Sequence, residues 1–174
     1  MLNQVGGVTE YPGDDLARAA AAGDATALEA YLDLLKGRIV ARGVHLGSHL
    51  GIETLEVRPD KVVMRMAWKR ELRRGGGVFH GGAIMALADQ VAGCLFNTDP
   101  RVPAAEATGL TTDFNVSFLK ALAPGEALRA TGSVLRRGRQ MTFMQIEVRG
   151  ETSGTPVAIC RTTYLTVPRA KVGK

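Results

Sequence analysis

One segment constrains the rest of the chain: "GGGVFHGGAIMALADQVAG", Gly75 to Gly93, an apolar stretch led by glycines that carries a single charge, Asp89. Its apolar residues recur at helical spacing. With His80 at zero and about 100° per residue, Ile84, Leu87, Val91 and Leu95 gather within roughly 80° of it. Met85, Ala92 and Phe96 extend the apolar surface round the side, and Ala83, Ala86, Ala88 and Gly93 keep it slim. A helix apolar over most of its circumference is expected to be buried on nearly all sides, so the remaining chain must wrap around it.

The flanking sequence has the other period. In "LGIETLEVRPDKVVMRMAWK", from Leu50, Val62, Met64, Met66 and Trp68 fall on one face and Lys61, Arg65 and Lys69 on the other. Alternation with Pro59-Asp60 between the halves predicts a β-hairpin. Four more alternating runs, 107–119, 126–136, 140–150 and 156–167, read as strands joined by "APGE", "RRGR" and "ETSGTP". Connections that short predict antiparallel neighbours. Ahead of them, residues 14–40 read as helix, with a break at Gly23-Asp24 and Leu28, Tyr31, Leu32 and Leu35 on one side. The expectation is an α+β fold: an N-terminal helical arm over 1–45, a domain of about six antiparallel strands around one helix over 46–168, and a tail over 169–174.

Composition excludes several functions. The fraction of aromatic residues is 5%, too sparse for stacking platforms on single-stranded nucleic acid. The net charge of +5 favours anions, but apart from "RRGR" the basic residues are dispersed, so small anionic ligands are expected rather than DNA or RNA. Cys94 and Cys160 sit in apolar runs without ligand spacing, and they are expected to be reduced core thiols with no metal site. The opening "MLNQVGGVTEYPGDD" lacks a leader's basic and apolar regions, and no run is long enough to span a bilayer. A cytoplasmic protein is expected.

Asp89 and the glycines define the chemistry. Asp89 projects about 180° from His80 and about 13 Å further along the axis. A buried carboxylate must be hydrogen-bonded, protonated or open to a wet cleft. At the other end, uncovered amides at the first turn and the positive end of the helix dipole suit an oxygen developing negative charge. One helix cannot bring both features to one atom, because they point opposite ways. Two antiparallel copies can, which predicts a dimer with two sites at its interface.

"HGGAIMALADQVAG", with "GLTTDFNVSFLKALAPGEALRATGSVLRRGRQMTF" after it, resembles the hotdog-fold acyl-CoA thioesterases, in particular their phenylacetic-acid-degradation branch. The resemblance covers roughly residues 48–167. It implies a curved antiparallel sheet wrapped round one long helix and protomers paired as dimers or dimers of dimers. It also implies hydrolysis of an acyl-CoA without metal or redox cofactor, and Ala83, Met85, Ala86 and Phe96 suggest an apolar pocket that fits aryl or medium-chain acids equally well. By the same resemblance Asp89 is nucleophile or general base, and the Gly81 amide, with Gly82, polarises the thioester carbonyl. His80 stabilises that loop and Thr111 positions water. Arg136, Arg137, Gly138 and Arg139 contact the coenzyme A nucleotide and phosphates, and Phe118 and Lys120 line the pantetheine region. Arg74 stands six residues before the histidine, where many relatives carry asparagine. Two other readings remain: a non-catalytic acyl-CoA-binding module, and a hotdog hydratase or dehydratase.

Overall fold

A computed structural model describes residues 13–41, 45–102 and 106–168, together with a small antiparallel pair, β1 (Gln4–Val5) and β2 (Val8–Thr9). The expected tail over 169–174 lies outside the described residues.

The arm breaks where the sequence predicted. α1 (Asp14–Ala21) and α2 (Ala25–Ala41) are separated at Gly23, whose φ of 100° suits only glycine well. Asp24 caps the second helix by accepting the Ala27 N–H at 3.0 Å. Ala17, Tyr31, Leu32 and Leu35 form a separate small core with half-buried Leu16, Leu28 and Val57. The Tyr31 hydroxyl donates to the Asn97 carbonyl at 2.8 Å and so ties the arm to the main domain.

The domain opens with α3 (Leu46–Leu50), capped by His45, whose Nδ1 accepts the Ser48 N–H at 3.4 Å while Ser48 Oγ accepts the His45 N–H at 2.9 Å. The hairpin follows as β3 (Ile52–Arg58) and β4 (Lys61–Met66). Val62, Met64 and Met66 are fully buried, whereas Trp68 is half-buried, with its indole N–H on the Gly77 carbonyl at 3.3 Å. The remaining strands are β5 (Ala107–Phe118), β6 (Leu128–Arg137), β7 (Met141–Gly150) and β8 (Pro156–Pro168).

All six strands form one antiparallel sheet in the order β3-β4-β6-β7-β8-β5. The turns at "RRGR" and "ETSGTP" join neighbours as expected. "APGE" does not: β5 pairs with β8 and stands at the sheet's edge, apart from β6. The turn chemistry is real, but it sits inside a crossover. Residues 119–127 first follow β8, with Leu119 and Lys120 donating to the Val157 carbonyl, and then return to the core, where Leu122 and Ala127 are buried.

α4 (Gly81–Phe96) lies in the hollow of the sheet. Ile84, Leu87, Val91 and Leu95 are buried in the main core with Met64, Leu128, Met144 and Ile146. A Cβ on Gly132 would stand 2.6 Å from Val91 Cγ1, so the bare backbone of β6 lets the helix settle onto it.

The helix is not gripped on all sides, which corrects the expectation. Gly82, Met85 and Asp89 are exposed, and Gly81, Ala86, Gln90 and Gly93 beside them are half-buried. These positions form one open stripe along α4. The periodicity set Asp89 opposite the buried face but counted Met85 with the apolar surface, and the sheet of one chain does not reach round to cover that side. Beside it, β5 has a neighbour on one side only and carries exposed Leu110 and Phe118. The opposite outermost strand, β3, has α2 packed against it.

Candidate active site

Local hydrogen bonding builds the entrance of α4. The loop before it folds back on itself. Arg74 N–H donates to the Val78 carbonyl at 2.9 Å, Gly77 N–H to the Arg74 carbonyl at 3.0 Å, and His80 N–H to the Leu72 carbonyl at 2.8 Å. Gly77 takes a φ of 81° there, which explains one glycine of the run. His80 is the N-cap: its Nδ1 accepts the Gly82 N–H at 3.0 Å, and its carbonyl accepts from Ala83 and Ile84. The two expected oxyanion amides therefore differ. Gly82 is taken by the histidine, while Gly81 N–H has no partner among the described residues.

Gly81 opens onto a cavity of about 270 Å³ lined by Arg74, Val78, Ile84, Phe118, Lys120 and Leu122, among others. A Cβ at Gly81 would come within 3.2 Å of Phe118 Cζ, so the missing side chain gives the ring its room. The walls are mostly apolar. Arg74 and Lys120 are exposed and form no ion pair among the described residues, so their charges are free to meet an anion.

Asp89 and Thr111 do not line this cavity. Asp89 sits on the open stripe, exposed, and its Oδ1 accepts the Tyr164 hydroxyl at 3.2 Å. Thr111 stands opposite Tyr164 in the β5–β8 register, on the same side of the sheet. Tyr164 is the residue the sequence reading missed. Its only sequence signal is position: Ala158, Cys160, Thr162 and Tyr164 alternate along the inner face of β8, and Tyr164 alone carries a large polar tip.

Burial pushes the Tyr164 phenol up to about 12; the Thr111 hydroxyl works against that shift, and the neighbouring Asp89 carboxylate adds to it. Ionising the phenol would set a second anion beside the first. Replacing Asp89 by Asn removes that penalty, so the tyrosine should ionise at lower pH. An ultraviolet difference titration of Asp89→Asn against the parent checks the shift, and an unmoved transition would mean the contact is absent in solution.

The four residues of "RRGR" separate. Arg136 and Arg139 are exposed, and Gly138 closes the turn with its N–H on the Met141 carbonyl at 2.7 Å. Arg137, expected among the coenzyme A contacts, turns inward. Its Nε donates to Asp60 Oδ1 at 3.0 Å, and one Nη to the Pro59 and Leu95 carbonyls and Thr98 Oγ1 at 3.0, 3.2 and 2.7 Å. The other Nη stands 3.7 Å from Asp99 Oδ2, an ion pair without a hydrogen bond. This guanidinium fastens the C-terminal end of α4 to the β3–β4 turn.

Cys94 and Cys160 are buried and not in a disulfide, with the Cys160 thiol pushed up to about 11 by burial, which suits inert core thiols. His45 serves its cap and His49 is exposed. Among the described residues no group of His, Cys, Asp or Glu is placed to hold a metal ion, and no helix is long and apolar enough to cross a membrane.

Residues 76–157 match the family model described as "Thioesterase superfamily". A putative esterase of Deinococcus radiodurans is 31% identical over 120 residues, spanning 68% of this chain and 71% of the relative. Human acyl-coenzyme A thioesterase 13 is 26% identical over 113 residues, spanning 64% of this chain and 77% of that one. Among solved structures, the E. coli PaaI protein from the phenylacetic acid degradation operon superposes with a TM-score of 0.67 at 20% identity, over 76% of this chain and 91% of that one. Zebra fish thioesterase superfamily member 2 superposes with a TM-score of 0.67 at 27% identity, over 77% and 97%. The wrapped sheet, the glycine-led helix with its aspartate and these matches agree: the chain belongs to the thioesterase superfamily.

Proposed function

We propose that the protein hydrolyses an aryl- or medium-chain acyl-CoA to the free acid and CoA, at two equivalent sites formed between paired protomers. The observation that carries this is the division of labour along α4. An unpartnered amide, Gly81, faces an apolar cavity at its start, and a carboxylate, Asp89, lies on an uncovered stripe further along. Antiparallel stripes from two copies, with their β5 edges side by side, set each Asp89 against the partner's helix entrance. The exposed stripe and the unpaired edge of β5 support that pairing.

In this reading the thioester carbonyl oxygen lies at the Gly81 N–H, where the helix dipole and the amide stabilise developing negative charge by about 3 kcal/mol. Asp89 takes a proton from water as its oxygen attacks the carbonyl carbon. The C–S bond then breaks, and the proton passes to the departing thiolate. Direct attack by the carboxylate, giving an anhydride that water opens, balances equally. His80 holds the first turn in place through Gly82. Arg74 and Lys120 meet anionic parts of the substrate at the cavity, and exposed Arg136 and Arg139, with Gly138 in the turn between them, offer guanidinium groups to the nucleotide phosphates. Neither route needs a metal or a redox cofactor.

A binding module without turnover is the second reading, favoured by Arg74 in place of the asparagine that many relatives carry. Free-thiol release from a panel of acyl-CoAs, phenylacetyl to palmitoyl, separates the two. Turnover is expected on the aryl and medium-chain members. Saturable CoA-ester binding with no thiol release anywhere would establish the module instead.

A further inference from the structure

We infer that Tyr164 is a positioning residue for Asp89: its hydroxyl, with Thr111 opposite it in the β5–β8 register, fixes one carboxylate oxygen so that the other is presented to the thioester. This rests on Asp89 being the reacting acid. A carboxylate on an exposed helix face is otherwise free among rotamers, and each orientation away from the substrate lowers the reactive fraction. The phenol is the only neutral hydroxyl donor the described residues give it.

The surrounding structure is arranged to keep that donor still. Tyr164 lies on the inner face of β8, opposite Thr142 on β7 and Thr111 on β5. Phe96 of α4 stacks against it at a centroid distance of 5.5 Å and a tilt of 35°. Space for both rings comes from Gly109 of β5, where a Cβ would stand 2.8 Å from Tyr164 Cδ2 and 2.8 Å from Phe96 Cε1. On the helix side, a Cβ at Gly93 would sit 3.7 Å from the phenol oxygen, so the helix backbone limits the ring from that direction as well. Only 6% of the residue is exposed, and what its hydroxyl reaches is the one carboxylate of the helix.

The strand register contributes too. The β5–β8 pairing shifts between Thr111 and Asp113, leaving Thr112 without a Cα partner. Such a bulge re-aims neighbouring side chains. Here it keeps Thr111 on the inner face, beside the phenol, while the Thr112 hydroxyl donates to the Thr163 carbonyl at 3.0 Å. Thr111 therefore stands beside the tyrosine on the side away from the bulge. The order Thr111, Tyr164, Asp89 runs from strand to strand to helix.

The test uses the full chain and four single variants, with kcat and KM measured separately on the best acyl-CoA of the panel. Tyr164→Phe keeps the ring and its stacking but removes the hydroxyl. It should lower kcat about tenfold to a hundredfold with KM within about twofold. Thr111→Val should lower kcat by about threefold, and in the double variant it should add little to Tyr164→Phe, because both act through one carboxylate. Thr112→Val should behave as the parent. Asp89→Asn sets the reference. A Tyr164→Phe enzyme with parental kcat beside an inactive Asp89→Asn would overturn the inference, and so would losses that multiply in the double variant. An active Asp89→Asn would instead overturn the assignment of Asp89 itself. Should Tyr164→Phe fail to fold, exposed Thr111 carries the test alone, and an unchanged kcat in Thr111→Val then counts against the chain of hydroxyls.

Discussion

Asp89→Asn is expected to lose about 10³-fold in kcat while the fold and coenzyme A binding persist. The replacement is isosteric, the side chain is exposed on the open stripe of α4, and an amide oxygen can still accept the Tyr164 hydroxyl. Neither packing nor the local hydrogen bond is removed. What disappears is the negative charge that, in the proposed mechanism, attacks the carbonyl or receives a proton from water. Thermal melting within a few degrees of the parent, unchanged coenzyme A affinity by calorimetry and a collapsed thiol release would together support the assignment. Turnover within about tenfold of the parent would move the chemistry to another residue. Single-turnover hydrolysis in ¹⁸O-water then separates the two routes, since an anhydride opened at the protein carbonyl leaves label in Asp89.

The second large effect is on stability. Arg137→Ala should cost about 3 kcal/mol or more, whereas Arg136→Ala, its neighbour in sequence, should change stability by no more than about 0.5 kcal/mol. The Arg137 side chain is 12% exposed and Asp99 only 7%, so removing the guanidinium leaves a buried carboxylate short of compensation and breaks the hydrogen bonds to Asp60, Pro59, Leu95 and Thr98 that tie the end of α4 to the β3–β4 turn. Burial pushes the Asp99 carboxyl up, but hydrogen bonds from Arg101 and the Arg137 charge outweigh it and hold the group below the usual carboxylate range. A lowered folded-state value stabilises the protein above the ordinary aspartate range and loses that contribution as pH falls through it. Removing Arg137 should therefore shrink the stability difference between neutral and strongly acidic solution. Urea denaturation of both variants at two pH values measures these effects, and equal midpoints for the two would contradict the inward placement.

The contrast between these two arginines shows where sequence reading stops. Counting by twos along 126–136 places Val134 inward and Arg136 on the same side. A register shift between Val134 and Arg136 reverses the count, so Arg137 enters the core opposite Thr142 and Arg136 faces out. A bulge changes parity without any residue type announcing it. The separate α1 and α2, the β3–β4 hairpin and α4 were readable because each depends on local period and a cap or turn. The partner of β5 was not, since "APGE" has the chemistry of a turn whether it joins neighbours or lies within a crossover. For the site, helical spacing gave the direction of Asp89 but not what covers that direction. The cavity that joins Gly81, Arg74, Phe118 and Lys120, and the contact of Tyr164 with Asp89, depend on residues far apart in the chain brought together by sheet register.

The asymmetry of the two sheet margins has a consequence for colloidal behaviour. A sheet with both outer strands bare can recruit a copy at each and keep growing, which is how a filament begins. Here α2 packs against β3, so among the described residues β5 is the bare margin. Joining two copies through β5 would use up that margin in both, leaving helix-backed strands at the two ends of the combined sheet. Growth by strand addition then has no next step. Deleting the arm should be judged by light scattering over days as well as by activity, because its contribution would appear as the absence of fibres.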